Sequence, residues 1–179
     1  MICLVRHGEA AAGWGHAADP GLSPLGEKQA EAVTTTLKAA KAERIVASPM
    51  ARCQQTSLPF AHESGLAVAT DRTVGEIPTP DGLEDRVAWL REFMAGSWSN
   101  APALLKGWRE DLIRTIETMP DHTVVFTHFV AINTIVGHLG GSQNVTSFRP
   151  GHCSVTWLAK GADRLVVEQL GSEAATKIL

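Results

Sequence analysis

Short apolar runs alternate along this chain with longer segments in which apolar residues recur at helical spacing. The apolar runs have the length and β-branched content of strands, and they occupy residues 2–5, 44–47, 67–70, 123–127, 154–158 and 165–170. Strands that alternate with helices are typical of α/β domains, so the pattern predicts an α/β fold. The last two runs flank Gly161-Ala162-Asp163, which predicts a closing hairpin.

Two Ser-Pro pairs mark the predicted starts of the first two helices. Ser23 is a suitable N-cap for a helix over residues 24–41, in which proline takes the first position. Ser48-Pro49 repeats this signature and places Arg52 in the first turn of the second helix. Pro59 is expected to kink or end that helix, because proline has no backbone N–H to donate to the preceding turn.

Two further helical patterns occupy residues 83–94 and 104–119. Their apolar residues recur at intervals of three and four, at Val87, Leu90, Phe93 and Met94 and at Leu105, Trp108, Leu112 and Ile116. Residues 129–139 form another helix-like segment. We therefore predict one domain over residues 1–179, in which residues 77–121 form a helical insertion that caps one edge of the sheet.

Charge and length exclude several classes of partner. The 179 residues include 16 Lys and Arg against 19 Asp and Glu, which gives a formal net charge of -3. Without a basic field, we expect the chain to bind neither nucleic acid nor an anionic membrane. The apolar run at residues 1–5 is too short for a signal-peptide core or a membrane span. We therefore expect a soluble cytoplasmic protein.

The spacing of ligand-type residues disfavours metal and nucleotide sites. The seven histidines form no His-x-x-x-His pair, and Cys3, Cys53 and Cys153 form no Cys-x-x-Cys pair. The glycines form neither a G-x-x-x-x-G-K-[ST] loop nor a G-x-G-x-x-G loop, and a G-x-S-x-G elbow is also missing. The sequence therefore predicts neither a metal ion nor a cofactor.

Residues suited to phosphate chemistry follow several of the apolar runs. Arg6-His7-Gly8 ends the first run, Arg52 follows the second, Glu76 follows the third, and His128 ends the fourth. Open α/β sheets bind ligands at the carboxyl ends of their strands. There a guanidinium matches phosphate oxygens, and a histidine can attack phosphorus and carry the phosphoryl group.

Together these motifs resemble the histidine phosphatase superfamily, which includes the phosphoglycerate mutase-like enzymes. The resemblance implies a three-layer α/β/α fold with a mostly parallel sheet of about six strands, and a helical insertion over the active-site edge. It implies that His7 becomes a phosphohistidine while Arg6, Arg52 and His128 hold the phosphate. It also implies that Glu76 protonates the leaving oxygen and later activates water, so that His7, Glu76 and His128 are the catalytic residues.

The chain departs from the family pattern in places that shape the pocket. Ala10 and Gly13 stand where the family usually has Thr and Asn, and Phe129 stands where it usually has a small residue. Trp14, Phe129 and His152 are candidate pocket residues because they are near the motifs and could contact the leaving group.

Three functions agree with these residues. The first is a metal-independent phosphatase acting on a small phosphorylated substrate or a phosphoprotein, and the second is a phosphoglycerate mutase-like phosphotransferase. The third is a non-catalytic module that binds a phosphorylated ligand or a protein. The uncharged stretch of residues 10–15 favours the phosphatase, because mutases of this family have basic residues there to hold the substrate carboxylate. An exposed sheet edge could pair two copies into a homodimer.

Overall fold

A computed structural model describes residues 1–12 and 19–174 of the chain. The strands are β1 (Ile2–Arg6), β2 (Arg44–Ala47), β3 (Val68–Thr70), β4 (Thr123–Thr127), β5 (Val155–Lys160) and β6 (Leu165–Gln169). The α-helices are α1 (Pro24–Leu37), α2 (Ala51–Ser64), α3 (Arg86–Ala95), α4 (Ala103–Thr118) and α5 (Phe129–Leu139). Short 3₁₀ helices follow at Lys38–Ala40, Arg72–Val74 and Trp98–Asn100.

The strands form one sheet in the order β3-β2-β4-β1-β5-β6. The first four in this order are parallel, whereas β5 and β6 are antiparallel to their neighbours. The predicted α/β fold, mostly parallel sheet and closing hairpin are therefore confirmed. Arg6 lies opposite Thr127, and Ala47 lies opposite Phe126. As a result, three adjacent strands end at the same edge, and the segments that follow them meet there.

Helices cover both faces of the sheet. Cys3 and Val5 of β1 point to the face covered by α1 and α2, whereas Ile2 and Leu4 point to the face covered by α4 and α5. This arrangement follows from the alternation of side chains along a strand that is buried on both faces. The fold is therefore the three-layer α/β/α arrangement that the family resemblance implied.

The segment predicted as an insertion, residues 77–121, packs in two places. Leu90 of α3 and Leu105 of α4 form a small apolar cluster with Phe129. Further along α4, Leu112 and neighbouring apolar residues join the main core against the sheet. The helix α4 thus belongs to one of the two helical layers and also connects α3 to the domain.

The start of α2 differs from the prediction, and Pro59 does not end the helix. The helix begins at Ala51 with Met50 as N-cap, so Ser48 is not the cap. Pro59 lies inside α2, and the helix continues beyond it to Ser64. Cys53 and Phe60 anchor the two sides of this proline in the core, and their packing compensates for the backbone hydrogen bond that proline removes.

None of the helices in the described part of the chain is long and apolar enough to cross a membrane.

Candidate active site

The residues singled out by the sequence come together at the carboxyl edge of the sheet. His7 follows β1, His128 follows β4, and Arg52 lies in the first turn of α2, which follows β2. Glu76 follows the 3₁₀ helix after β3. Each of these side chains is nearly inaccessible to solvent, and they contact one another directly.

Arg52 lies at the centre of this cluster. Its Nε donates to Nε2 of His7 at 3.2 Å. Its Nη2 donates to Oε2 of Glu76 at 3.2 Å and lies 3.2 Å from Nδ1 of His128. The Arg52 side chain is only 6% exposed and that of Glu76 9%, so this ion pair is largely shielded from water. A single guanidinium therefore contacts all three predicted catalytic residues.

The hydrogen bonds of His7 fix the roles of its two ring nitrogens. Its Nδ1 donates to the carbonyl oxygen of Gly8 at 2.7 Å, which leaves a lone pair on Nε2. Burial lowers the pKa of His7 well below 6.5, and the nearby positive charges act in the same direction. The imidazole is therefore neutral at neutral pH.

Gly8 allows this arrangement because the chain passes very close to α1. A Cβ atom at Gly8 would lie 2.7 Å from the carbonyl oxygen of Gly26. The N–H of Gly8 donates to Oγ1 of Thr56 at 3.0 Å. The loop that follows β1 is therefore fixed against both α1 and α2.

His128 is fully buried and has a polar partner on each side of its ring. Its Nε2 lies 2.8 Å from Oγ of Ser48, and its Nδ1 lies 3.5 Å from Oε2 of Glu76. Burial lowers the pKa of His128 well below 6.5, and the charge of Arg52 adds to this effect. Nδ1 thus faces the cluster while Ser48 holds the opposite side of the ring.

Arg6 supplies a second guanidinium. Its Nη1 donates to the carbonyl oxygen of Pro150 at 2.9 Å, and its Nη2 lies 3.1 Å from Nε2 of His152. Its Nε is buried and has no hydrogen-bond partner among the described residues. Burial lowers the pKa of Arg6 to about 10, so the group remains a cation at neutral pH. An unpartnered N–H on a buried cation is suited to an incoming anion.

The candidate pocket residues are in different environments. Phe129 is buried. Cζ of Arg6 lies 5.4 Å from the centroid of the Phe129 ring, so the guanidinium and the ring form a cation–π contact. The ring of His152 lies 6.0 Å from that of His7, and burial lowers the pKa of His152 to about 4. Trp14 and Gly13 lie outside the described residues.

Sequence reasoning missed three residues of this site. Ser48 was interpreted as a helix cap, whereas Thr56 and Asp19 were not singled out. Asp19 lies 3.8 Å from Nη1 of Arg52. The sequence offers one signal for two of them: Ser48 lies four residues before Arg52, and Thr56 lies four residues after it. In the described part of the chain, His, Cys, Asp and Glu form no group of three that could hold a metal ion.

The two buried histidines make the stability of the fold depend on pH. In the unfolded chain they bind protons near pH 6.5, but in the fold both pKa values are lower. Below pH 6.5 the unfolded state therefore binds more protons, and stability falls as pH falls. We expect the free energy of unfolding to decrease by about 1.4 kcal/mol per pH unit for each histidine.

Urea unfolding of the wild type and His7→Gln, measured between about pH 7.5 and pH 5, tests this expectation. Below pH 6.5 the free energy of unfolding should fall with pH less steeply in the variant than in the wild type, by the contribution of one histidine. Above pH 7 the stability of neither protein should change with pH. An identical slope in the two proteins would show that folding does not lower the pKa of His7.

Comparisons with known proteins identify the family of this chain. A family described as the histidine phosphatase superfamily (branch 1) matches residues 2–173. No curated protein matches the sequence.

Several solved structures have a similar fold. Mycobacterial glucosyl-3-phosphoglycerate phosphatase is similar with a TM-score of 0.75 and 20% identity, over 97% of this chain and 99% of that chain. Phosphoserine phosphatase from Entamoeba histolytica, in complex with 3-phosphoglyceric acid, has a TM-score of 0.74 and 20% identity over 96% of each chain. A protein described as mycobacterial hydrolase 1 has a TM-score of 0.72 and 22% identity, over 97% of this chain and 99% of that chain. At these identities the likeness establishes the fold.

Proposed function

Because this chain belongs to the histidine phosphatase superfamily, we propose that it hydrolyses a phosphate monoester through a covalent phosphohistidine on His7, without a metal ion. The observation that carries the proposal is the contact of the Arg52 guanidinium with His7, Glu76 and His128. A cation at this point can hold the phosphoryl oxygens between a nucleophile and an acid.

The first half-reaction starts when the phosphoryl group replaces the internal partners of Arg52. In the free protein Nε of Arg52 donates to Nε2 of His7 and so occupies its lone pair. When a phosphoryl oxygen accepts the hydrogen bond from this N–H, the lone pair of Nε2 becomes free and phosphorus lies next to it. Nε2 then forms a bond to phosphorus as the bond to the leaving oxygen breaks, with Arg6 and His128 sharing the negative charge.

Glu76 donates a proton in the first half-reaction and accepts one in the second. The phosphoryl group of the substrate takes the place of Glu76 on Arg52, and a monoanionic phosphate passes its proton to the released carboxylate. The carboxyl group then donates this proton to the leaving oxygen, which departs as a neutral alcohol. The resulting carboxylate accepts a proton from water as the water oxygen attacks phosphorus. The P–N bond breaks, inorganic phosphate leaves, and the electron pair returns to Nε2 of His7. The hydrogen bond from Nδ1 to Gly8 keeps the ring in one orientation throughout.

Replacing Glu76 with glutamine tests the acid role. We expect hydrolysis of alkyl phosphates to slow by about 10²-fold to 10⁴-fold, because an alkoxide is a poor leaving group without a proton. Formation of the phosphohistidine from p-nitrophenyl phosphate should change much less, because nitrophenolate leaves unaided. The same variant lacks the base for water, so stopped-flow traces should show a burst of nitrophenolate followed by slow turnover.

Glu84→Gln is a matched control, since it removes the same charge from the adjacent loop. Its rates should equal those of the wild type. Equal losses for activated and unactivated esters in Glu76→Gln, without a burst, would remove Glu76 from the acid role.

A further inference from the structure

Ser48 contacts the side of the His128 ring that faces away from the other catalytic residues. Both side chains are fully buried, and Oγ of Ser48 lies 2.8 Å from Nε2 of His128. Ser48 directly follows β2, and its backbone N–H donates to the carbonyl oxygen of Phe126 in β4 at 3.0 Å. The hydroxyl group is therefore fixed relative to the strand that His128 follows.

The proton of the Ser48 hydroxyl needs an acceptor inside the protein. Oγ of Ser48 accepts a hydrogen bond from the N–H of Met50 at 3.3 Å, so this contact does not use the proton. Among the described residues, Nε2 of His128 is the one nitrogen or oxygen atom to which the hydroxyl can donate. Because buried polar hydrogens are almost always paired, Ser48 donates and Nε2 accepts.

The other nitrogen of the ring then becomes a donor. Burial lowers the pKa of His128 well below 6.5, so the neutral ring has a single proton, and this proton is on Nδ1. Nδ1 lies 3.5 Å from Oε2 of Glu76, and Nη2 of Arg52 donates to the same oxygen at 3.2 Å. Two N–H groups, one from His128 and one from Arg52, therefore face a single oxygen atom.

The same contacts disfavour the other tautomer of His128. In that tautomer Nε2–H would donate to Ser48, and Nδ1 would accept from Nη2 of Arg52, which lies 3.2 Å away. Oγ of Ser48 would then accept from both His128 and Met50, and its own buried proton would have no nitrogen or oxygen partner among the described residues. A buried donor left unpaired costs more than one additional hydrogen bond contributes.

We propose that Ser48 is a positioning residue: its hydroxyl donates to Nε2 of His128 and so keeps the ring proton on Nδ1, where it binds a phosphoryl oxygen. The inference rests on the proposed function, in which the phosphoryl group takes the place of Glu76 on Arg52. The phosphoryl oxygen at the position of Oε2 then accepts from both N–H groups. A lone pair on Nδ1 would repel that oxygen, so the hydrogen bond from Ser48 makes His128 a phosphate ligand.

NMR spectroscopy measures the tautomer of His128 directly. Long-range proton–nitrogen spectra of the protein with isotope-labelled histidines distinguish a protonated ring nitrogen from one with a lone pair, and His128→Gln identifies the His128 signals. At neutral pH and without phosphate, we expect the wild type to have the proton on Nδ1. In Ser48→Ala, Nε2 loses its donor, so the proton should shift toward Nε2 and Nδ1 should accept from Arg52.

Steady-state kinetics with p-nitrophenyl phosphate measures the consequence for the reaction. Ser48→Ala should lower kcat/KM by about tenfold or more, because one donor to the phosphoryl group is weakened. Ser48→Thr keeps a hydroxyl group and should stay within about threefold of the wild type. Ser57→Ala is a matched control, since it removes an equally buried hydroxyl that donates to the carbonyl oxygen of Gln54 within α2. It should change neither the tautomer nor kcat/KM.

Two results would overturn the inference: a wild type in which the proton of His128 is on Nε2, or a folded Ser48→Ala variant with the tautomer and kcat/KM of the wild type. The wild-type spectrum decides the first point even if Ser48→Ala does not fold. Hydrolysis of p-nitrophenyl phosphate by the same wild-type sample separates these results from failure of the proposed function. If that ester is hydrolysed and the proton is on Nε2, only the role of Ser48 is wrong.

Discussion

Replacing His7 with alanine is expected to reduce turnover by at least about 10⁴-fold, because the proposed attack on phosphorus comes from its Nε2. Nε2 of His7 is the ring nitrogen whose lone pair is directed to Arg52, and the other nitrogen is used by the carbonyl of Gly8. In the proposed mechanism a water molecule that attacks phosphorus directly has no carboxylate base, because Glu76 acts first as the acid.

This variant should still bind phosphate. Arg6, Arg52 and His128 remain, so inorganic phosphate should bind His7→Ala with an affinity near that of the wild type in isothermal titration calorimetry. His62→Ala removes an exposed histidine from the last turn of α2 and should retain full activity. Turnover of His7→Ala within tenfold of the wild type would show that the histidine is not the nucleophile.

Loss of Arg52 is expected to have the second-largest effect. Arg52→Lys and Arg52→Ala should both reduce kcat by about 10³-fold or more, comparable to the loss of a group that stabilises transition-state charge. Lysine should not restore activity. Its single ammonium group cannot contact His7, Glu76 and His128 at once, as the planar guanidinium of arginine does.

Steady-state kinetics with p-nitrophenyl phosphate measures this loss, and circular dichroism confirms that each variant is folded. Arg114→Lys makes the same exchange at an arginine whose side chain is 70% exposed, and it should leave kcat unchanged. Full activity of Arg52→Lys would mean that Arg52 contributes only a point charge to the site.

The sequence predicted the sheet well because its strands are short apolar runs with clear boundaries. Residues 123–127 form β4 over the predicted range, and all five side chains are buried. Such a run has few alternative conformations in a fold with helices on both faces. The same reasoning placed His7, Arg52 and His128 near one another, since the segments after parallel strands meet at one edge of the sheet.

The missed contacts depend on side chains that are distant in the sequence. Ser48 has the sequence context of a helix cap, and its contact with His128 spans 80 residues. Asp19 lies at an ordinary loop position, and its contact with the N–H of Ala51 appears only after α2 is placed. Local patterns predict helices and strands, but the partner of a polar side chain depends on how those elements pack.

The resemblance to a family supplied what physical patterns could not. Spacing alone did not distinguish Glu76 from Glu84 or Asp85 as the acid. In the structure Glu76 is the one that contacts Arg52 and approaches His128. Asp85 instead caps α3 by accepting hydrogen bonds from the N–H groups of Val87 and Ala88.

The most direct test of the account is to trap the phosphorylated protein. Wild type, His7→Ala and Glu76→Gln are mixed with p-nitrophenyl phosphate in the presence of a chelator and quenched in alkali, which preserves phosphohistidine. Peptide mass spectrometry then locates the phosphoryl group. We expect it on His7 in the wild type, at higher occupancy in Glu76→Gln, and nowhere in His7→Ala. Turnover by the wild type with no phosphoryl group on His7, or with one on another residue, would contradict the account.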